Sequence, residues 1–162
     1  MPMGVIAAIY LTPEKEAAAN SVRQANCVPG SGLEGDRYAK QAGTFSKPGA
    51  ADREVTLIEA EAIEAANREY KASLDPAATR RNLLTCGVAL NHLVGRDFRV
   101  GHVVFRGIRL CEPCDHLAKL TSAEAERGLV HRGGLRAQVV TAGTIYVGDE
   151  IEEMPKALAH AG

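Results

Sequence analysis

Two stretches of the chain share one pattern: an apolar residue, a spacer, a Val-Gly pair, two spacers and a second apolar residue. The pattern occupies residues 98–104, FRVGHVV, and residues 145–151, IYVGDEI. A glycine inside a β-rich run marks a sharp bend or a turn, as at the corners of small barrels. We therefore expect both runs to turn at their Val-Gly pairs, at 100–101 and 147–148. Two matches set no period, so the pattern does not indicate a repeat protein.

The other β-rich runs are short, and Gly, Pro and charged residues separate them. Together with the two runs above, the predicted strands are 5–11, 54–58, 98–110, 136–140 and 144–151. Residues 28–50 are rich in Gly, Ser, Pro and charge, which predicts a long loop. Many short strands with little helix between them favour a mainly β, barrel-like fold with a few short helices.

Three segments carry helical signals. Residues 59–70 hold apolar side chains at helical spacing, which predicts a helix. Asp75-Pro76 indicates a turn or a helix start, with proline at the first helical position. Residues 122–128 predict a short helix that a serine caps and a glycine ends.

Length and charge restrict the class of protein. The chain has 162 residues, so we expect one domain over residues 1–162, with its core at about 3–153 and a short tail at 154–162. A formal net charge of -1 argues against nucleic acid as the main partner. No stretch approaches the roughly 20 apolar residues of a membrane span. The short apolar run at the N-terminus predicts a strand and not a signal peptide, so we expect a cytoplasmic protein with reduced cysteines.

Two of the four cysteines form a close pair in the motif LCEPCDH, residues 110–116. Cys111 and Cys114 are spaced so that both thiols can reach one metal ion or each other, and an aspartate and His116 follow the second thiol. Three interpretations stay open. The thiols pack as small apolar side chains, or they bind zinc with His116 and Cys86 as the other ligands, or a reactive thiolate binds a soft metal or carries sulfur.

A basic segment, Arg80-Arg81-Asn82, precedes an apolar run. Two guanidinium groups and an amide at the mouth of a strand suit a phosphate or a carboxylate. If these residues converge with Arg136 at one end of a barrel, they form an anion pocket. One alternative is a solvated basic turn. The other is ion pairing with the carboxylates of the segment at 32–37.

Two segments combine glycine with charge. The segment HRGGLR, residues 131–136, offers backbone N–H groups to an anion at its paired glycines, or forms a plain tight turn. The segment GLEGDR, residues 32–37, predicts a loop held by its own ion pairs, with metal binding as the alternative. Neither segment is specific when it is taken alone.

Taken in order, these segments resemble the MOSC domain, a module named after the C-terminal part of the molybdenum cofactor sulfurases. The matching pieces span nearly the whole chain and are GLEGDRY at 32–38, REVTLIEAEAI at 53–63, RRNLLTCGVALNHLVGRDFRVG at 80–101, RLCEPCDHL at 109–117 and RGGLRAQVVTAGTIYVGDEI at 132–151. The resemblance implies a β-barrel with short helices. It also implies a pocket for the molybdenum cofactor (molybdopterin), a pyranopterin dithiolene with a phosphate.

The resemblance also implies roles for particular residues. Cys114 matches the family's cysteine, which ligates molybdenum or carries sulfur, so it is the expected catalytic and metal-binding residue. Dithiolene-bound molybdenum is soft enough to accept a thiolate, and a phosphate suits arginine forks. The residues expected to bind the pterin or its phosphate are Arg80, Arg81, Asn82 and Arg136, with Cys111 and His116 as further cofactor contacts.

Three functions are consistent with these features. The first is a molybdenum-cofactor protein that forms the catalytic part of a reductase of N-hydroxylated compounds. The second is a non-catalytic carrier that holds sulfur, as a persulfide, or cofactor on Cys114. The third is a small zinc-binding or structural barrel. The chain has no room for the pyridoxal-phosphate desulfurase domain of the full sulfurases and lacks the ferredoxin spacing C-x4-C-x2-C, so we expect a separate redox or sulfur-donor protein.

Overall fold

The computed structural model describes residues 3–14, 17–37, 39, 54–112 and 122–155. Within these ranges the secondary structure is mostly β. The strands are β1 Gly4–Leu11, β2 Asn20–Val22, β3 Gln24–Val28, β4 Gly32–Leu33, β5 Val55–Glu59, β6 Leu83–Cys86, β7 Asp97–Val100, β8 Val103–Leu110, β9 Leu135–Val139, β10 Gly143–Tyr146 and β11 Glu150–Glu153. The α-helices are α1 Ala60–Tyr70 and α2 Ala123–Gly128, and the 3₁₀ helices are Pro76–Thr79 and Leu90–Leu93.

Seven of these strands close into a barrel. Their order is β11-β7-β8-β9-β5-β6-β1, and β1 returns to β11 through the pair Gly4 and Ile151. β5 and β6 run parallel, with α1 in the connection between them, and the other neighbouring strands pair antiparallel. A smaller sheet, β10-β3-β4, accompanies the barrel, and β2 pairs antiparallel with the C-terminal end of β1. The predicted mainly β barrel with a few short helices is therefore confirmed.

Both predicted Val-Gly corners are turns. Gly101 lies between β7 and β8, which form an antiparallel hairpin, so the chain reverses at this point. Gly148 lies between β10 of the small sheet and β11 of the barrel, so the second corner leads the chain from one sheet to the other. The predicted strands 98–110 and 144–151 are thus two strands each.

The main apolar core fills the barrel. Phe98 of β7 and Phe105 of β8 are fully buried, and their ring centroids are stacked 5.7 Å apart. Burying a side chain of this size stabilises the fold by about 1.5–3 kcal/mol. Ile58 and Leu84 face away from this core and pack with Ile63 of α1 in a second cluster on the outer face. Helix α1 therefore covers the parallel pair β5 and β6.

The helical predictions are confirmed. α1 begins one residue later than predicted and ends at Tyr70. The Asp75 carboxylate caps the first 3₁₀ helix by accepting a hydrogen bond from the Ala77 backbone N at 3.1 Å, and Pro76 is its first residue. α2 occupies the predicted short helix. No helix in the described part of the chain is long and apolar enough to span a membrane.

The predicted loop at 28–50 is wrong at its start, where β3 ends and β4 forms. Residues 38 and 40–50 of this prediction lie outside the described residues. Leu33 of β4 pairs with Cys27 of β3, and both side chains are buried. This packing stabilises β4, although its glycine-rich sequence predicts a loop. The ion pair predicted in this segment is confirmed, because Arg37 Nη1 lies 3.7 Å from the buried Asp36 carboxylate. Asp36 also accepts a hydrogen bond from the Thr12 backbone N at 2.8 Å, which joins the segment to the end of β1.

Glu54, just before β5, makes the fold sensitive to pH. Its carboxylate accepts a hydrogen bond from the Val139 backbone N at 2.9 Å, yet burial outweighs this contact and raises the pKa above the ordinary 4.5. A raised pKa in the folded state means that this carboxyl's contribution to the free energy of unfolding is present below about pH 4.5 and is lost as the pH rises through the folded-state value.

Glu54→Gln is expected to remove this pH dependence, since glutamine stays neutral and keeps an oxygen for the Val139 N–H. The variant should therefore become more stable relative to the wild type as the pH rises from about 4 to about 7. Urea unfolding at both pH values measures this shift. Glu64→Gln, at an exposed position on α1, is the control. A difference for Glu54→Gln that does not change with pH would contradict the prediction.

Candidate functional site

The end of β8 is joined to the turn that precedes β9. The Cys111 backbone N donates to the Gly134 carbonyl oxygen at 2.7 Å. The Glu112 carboxylate accepts two hydrogen bonds from His131, one from the backbone N at 2.6 Å and one from Nδ1 at 2.8 Å. His131 holds a left-handed backbone conformation, with φ of 64°. Such conformations in residues other than glycine are uncommon and occur often at functional sites.

Gly134 allows this turn to approach the barrel. Its φ is 118°, and a Cβ atom at this position would collide with the carbonyl oxygen of Leu57 in β5. The paired glycines therefore form a tight turn that lies against the barrel wall. Their carbonyl oxygens are used as acceptors, since Gly133 accepts from Arg81 and Gly134 accepts from Cys111.

Arg81 joins three separate segments through backbone carbonyl oxygens. Its Nε donates to Gly133 at 2.8 Å, and its Nη2 donates to Cys111 at 3.0 Å. Its Nη1 donates to Thr79 at 3.2 Å, at the end of the first 3₁₀ helix. Arg81 thus connects the entry to β6, the end of β8 and the glycine turn.

Asn82 is buried and links three strands. Its Oδ1 accepts from the Thr56 backbone N at 3.0 Å and from Thr56 Oγ1 at 3.2 Å, and its Nδ2 donates to the Tyr10 carbonyl oxygen at 3.2 Å. Its backbone N also donates to the Thr56 carbonyl oxygen at 3.0 Å. The side chain of Asn82 therefore holds β1, β5 and β6 together at one level of the barrel wall.

Arg136 is buried next to Thr56, on the face of β9 that points away from the barrel core. Its neighbours Leu135 and Ala137 belong to the core, so alternation turns Arg136 outward. Arg136 pairs with Thr56 of β5 on one side and with Arg109 of β8 on the other. Directly paired residues share a face of the sheet. A polar row therefore crosses β8, β9 and β5 and ends at the residue before β6, and its members are Arg109, Arg136, Thr56 and Asn82.

A bulge in β8 brings Arg109 into this row. Gly107 pairs with Ala137 and Arg109 with Arg136, so Ile108 is an extra residue on this strand. Phe105 faces the core, and strict alternation from it would also turn Arg109 toward the core. The bulge reverses that direction, which is a known way of redirecting a side chain beside a functional site.

Arg80 contacts a different part of the protein. Its Nη1 donates to the Ala17 carbonyl oxygen at 2.6 Å, and its backbone is left-handed, with φ of 62°. Ala17 belongs to the segment between β1 and β2, whereas Arg81 contacts Cys111 and Gly133. The adjacent arginines therefore do not share one acceptor. The predicted role of this pair in binding a phosphate stays a prediction.

Comparison with known proteins identifies the family. The sequence profile of the MOSC domain matches residues 44–152, about two thirds of the chain. The chain belongs to the MOSC domain family. No curated protein sequence matches it.

Solved structures share the fold of this MOSC domain at low sequence identity. The YuaD protein from Bacillus subtilis superposes with a TM-score of 0.78 at 17% identity, covering 93% of this chain and 94% of that protein. YiiM from Geobacillus stearothermophilus has a TM-score of 0.72 at 14% identity, with coverage of 96% and 77%. YiiM from Escherichia coli has a TM-score of 0.67 at 18% identity, with coverage of 96% and 72%.

The cysteines of this MOSC domain occupy different environments. Cys111 is buried, as is Cys27, whose pKa burial raises to about 12. Cys86 ends β6 and is half-buried, and burial followed by the negative charges of Glu61 and Glu64 raises its pKa. A thiol with a raised pKa carries little thiolate at neutral pH and reacts slowly. Neither Cys27 nor Cys86 therefore has the properties of a reactive thiol.

Two of the predicted site residues, Cys114 and His116, lie outside the described residues. Within the ranges that are described, no group of three or more His, Cys, Asp or Glu side chains could hold a metal ion. The zinc interpretation, which uses Cys86 with the motif at 110–116, stays a prediction, because Cys114 and His116 lie outside the described residues.

Two features of the site were not predicted from the sequence. The hydrogen bonds between Glu112 and His131 join two motifs, at 110–116 and 131–136, that the sequence analysis treats separately. No signal in the sequence indicates this contact. Arg109 was missed because its direction depends on the bulge at Ile108. A glycine at 107 inside a β-rich run is the signal that could have indicated the bulge.

Proposed function

We propose that this MOSC domain binds the molybdenum cofactor and forms the catalytic part of a reductase of N-hydroxylated compounds. The observation that carries the proposal is the pair Arg109 and Arg136. The two side chains lie opposite each other on the outward face of adjacent strands. Two guanidinium groups side by side offer paired N–H donors and positive charge on one surface, which supports the binding of an anion such as a phosphate.

The donor set around this pair fits a phosphate-bearing cofactor. Guanidinium groups bind phosphate through two parallel hydrogen bonds, which lysine cannot make. Arg109 and Cys114 are five residues apart, so at up to about 3.6 Å per residue their Cα atoms are at most about 18 Å apart. Arg109 and Arg136 would hold the phosphate, and Cys114 would supply a soft thiolate to the metal.

The cofactor, when bound, supplies two-electron redox chemistry at molybdenum. The chain's own residues would bind and orient it, since Asn82 and Thr56 keep the wall beside Arg136 rigid. Reduction of an N–OH bond to N–H consumes two electrons and two protons and releases water. The proposal therefore includes a separate protein that donates electrons to this domain.

The test is metal and pterin analysis of protein purified from two bacterial hosts, one that makes the molybdenum cofactor and one that cannot. We expect molybdenum and pterin in equal amounts only from the first host. Arg136→Met should lower the cofactor affinity by about 1.5–3 kcal/mol, roughly tenfold to a hundredfold, because one charge-assisted contact is lost. The control is Arg99→Met, since Arg99 is exposed and pairs with Glu152 on the surface.

The same material separates the other functions. Reduction of an N-hydroxylated base with an artificial electron donor supports the reductase. Loaded protein without such activity, or persulfide on Cys114 without molybdenum, indicates a carrier. Protein that contains zinc or no metal, with neither pterin nor persulfide, would overturn the proposal and favour a structural barrel.

A further inference from the structure

The guanidinium of Arg81 is surrounded by backbone carbonyl oxygens. Each of its three nitrogens donates to a different carbonyl, those of Thr79, Cys111 and Gly133. Carbonyl oxygens carry partial negative charge, so they disfavour a phosphate at this position, and they accept from three of the five guanidinium N–H donors. Arg81 is half-buried, and these contacts include no carboxylate. The alternative pairing of Arg81 with the acidic residues at 32–37 is therefore absent.

The three carbonyls belong to segments far apart in the sequence. Gly133 lies 52 residues from Arg81 and Cys111 lies 30 residues from it. A planar guanidinium fixes the relative positions of its acceptors, because its N–H groups point in set directions. The same segments are also joined by the hydrogen bond from Cys111 to Gly134 and by the contacts of Glu112 with His131. Arg81 is thus the third connection at the end of β8.

We propose that Arg81 is a positioning residue that holds the end of β8 on the glycine turn, and not a ligand of an anion. It fixes the backbone at Cys111, three residues before Cys114. The consequence for cofactor binding rests on the proposed function, whereas the consequence for the end of β8 does not. A positioning role requires that loss of the guanidinium opens the end of β8, whereas an anion-binding role does not require this.

The test compares Arg81→Lys with Arg81→Gln. Lysine keeps the charge but cannot reach three carbonyls that surround a planar group. We expect both variants to expose the buried Cys111 thiol. Its alkylation by iodoacetamide, followed by mass spectrometry, should be faster by about tenfold or more than in the wild type, since local opening becomes easier when charge-assisted hydrogen bonds are lost.

Cys27 serves as the internal control in the same sample. It is as buried as Cys111 and lies in the small sheet, and Arg81 makes no contact with it. Faster alkylation at Cys111 alone indicates local opening, as proposed. Equal acceleration at both cysteines indicates global destabilisation and contradicts the proposal. Arg99→Lys is the control variant, because Arg99 is exposed and pairs with Glu152 on the surface, outside the segments that Arg81 contacts.

Cofactor content gives the second readout. If Arg81 positions the site, Arg81→Lys loses cofactor to the same extent as Arg81→Gln. A Cys111 thiol that stays protected in both Arg81 variants would overturn the proposal, and loss of cofactor from those variants would then favour direct binding of an anion by Arg81. If the wild type holds no cofactor at all, the proposed function fails, and alkylation of Cys111 still decides the role of Arg81.

Discussion

Gly134→Ala is expected to destabilise the protein by about 3 kcal/mol or more, the sum of backbone strain and a steric clash. The φ of 118° at Gly134 lies in a region that residues with a Cβ atom rarely adopt. The added Cβ would also collide with the Leu57 carbonyl oxygen. Neither backbone can move easily, because Leu57 pairs with Leu135 on one side and Leu83 on the other.

Gly148→Ala is the matched control for this prediction. Gly148 has a φ of 97°, and a Cβ atom there would meet nothing within 4 Å. This variant should lose only about 1 kcal/mol, from backbone strain alone. Urea unfolding of both variants measures the difference. Equal losses at the two glycines would mean that the approach to Leu57 adds nothing to the cost of substitution.

The Gly134 variant also bears on the candidate site. A shifted turn would weaken the hydrogen bond from Cys111 to Gly134 and the one from Arg81 to Gly133. We therefore expect the folded fraction of Gly134→Ala to expose Cys111, as the Arg81 variants do. The glycine turn and Arg81 thus act on the same strand end from two sides.

The barrel could be predicted because its signals are local. The Val-Gly pairs at 100–101 and 147–148 both turn a β-rich run, and Asp75 with Pro76 starts a 3₁₀ helix through contacts within two residues. β4 escaped prediction because nothing in its own sequence stabilises it. Leu33 forms a strand only because Cys27 and the core accept it. Its stability comes from tertiary packing, which composition does not reveal.

The candidate site was harder to predict because residues that are adjacent in the sequence contact different parts of the protein. Arg80 and Arg81 look equivalent in the sequence, but the left-handed backbone of Arg80 separates their contacts. The sequence analysis predicts Asn82 as a cofactor contact, whereas in the structure its side-chain amide links three strands. Arg109 enters the site only through a bulge. Spacing in a sequence indicates which residues can meet, and register decides which of them do.

Cys114→Ser is expected to abolish molybdenum binding, or persulfide formation, with little change in melting temperature. A serine hydroxyl is a hard oxygen donor that stays protonated near neutral pH, so it replaces neither a soft thiolate ligand nor a sulfur nucleophile. This expectation rests on the place of Cys114 in the family motif. Metal analysis and thermal unfolding of one sample measure both effects.

Cys111→Ser is expected to give the opposite pattern. The Cys111 side chain is buried, so serine places a hydroxyl in an apolar environment at a cost of about 1–3 kcal/mol unless it finds a partner. The melting temperature should therefore fall, while the folded protein keeps its cofactor. Cys86→Ser, at the half-buried end of β6, controls for the exchange of sulfur by oxygen as such. Complete and equal loss of metal in both Cys111→Ser and Cys114→Ser would contradict this division of roles. That result would indicate a symmetric site in which the two thiols of the C-x-x-C motif bind one metal or form a disulfide.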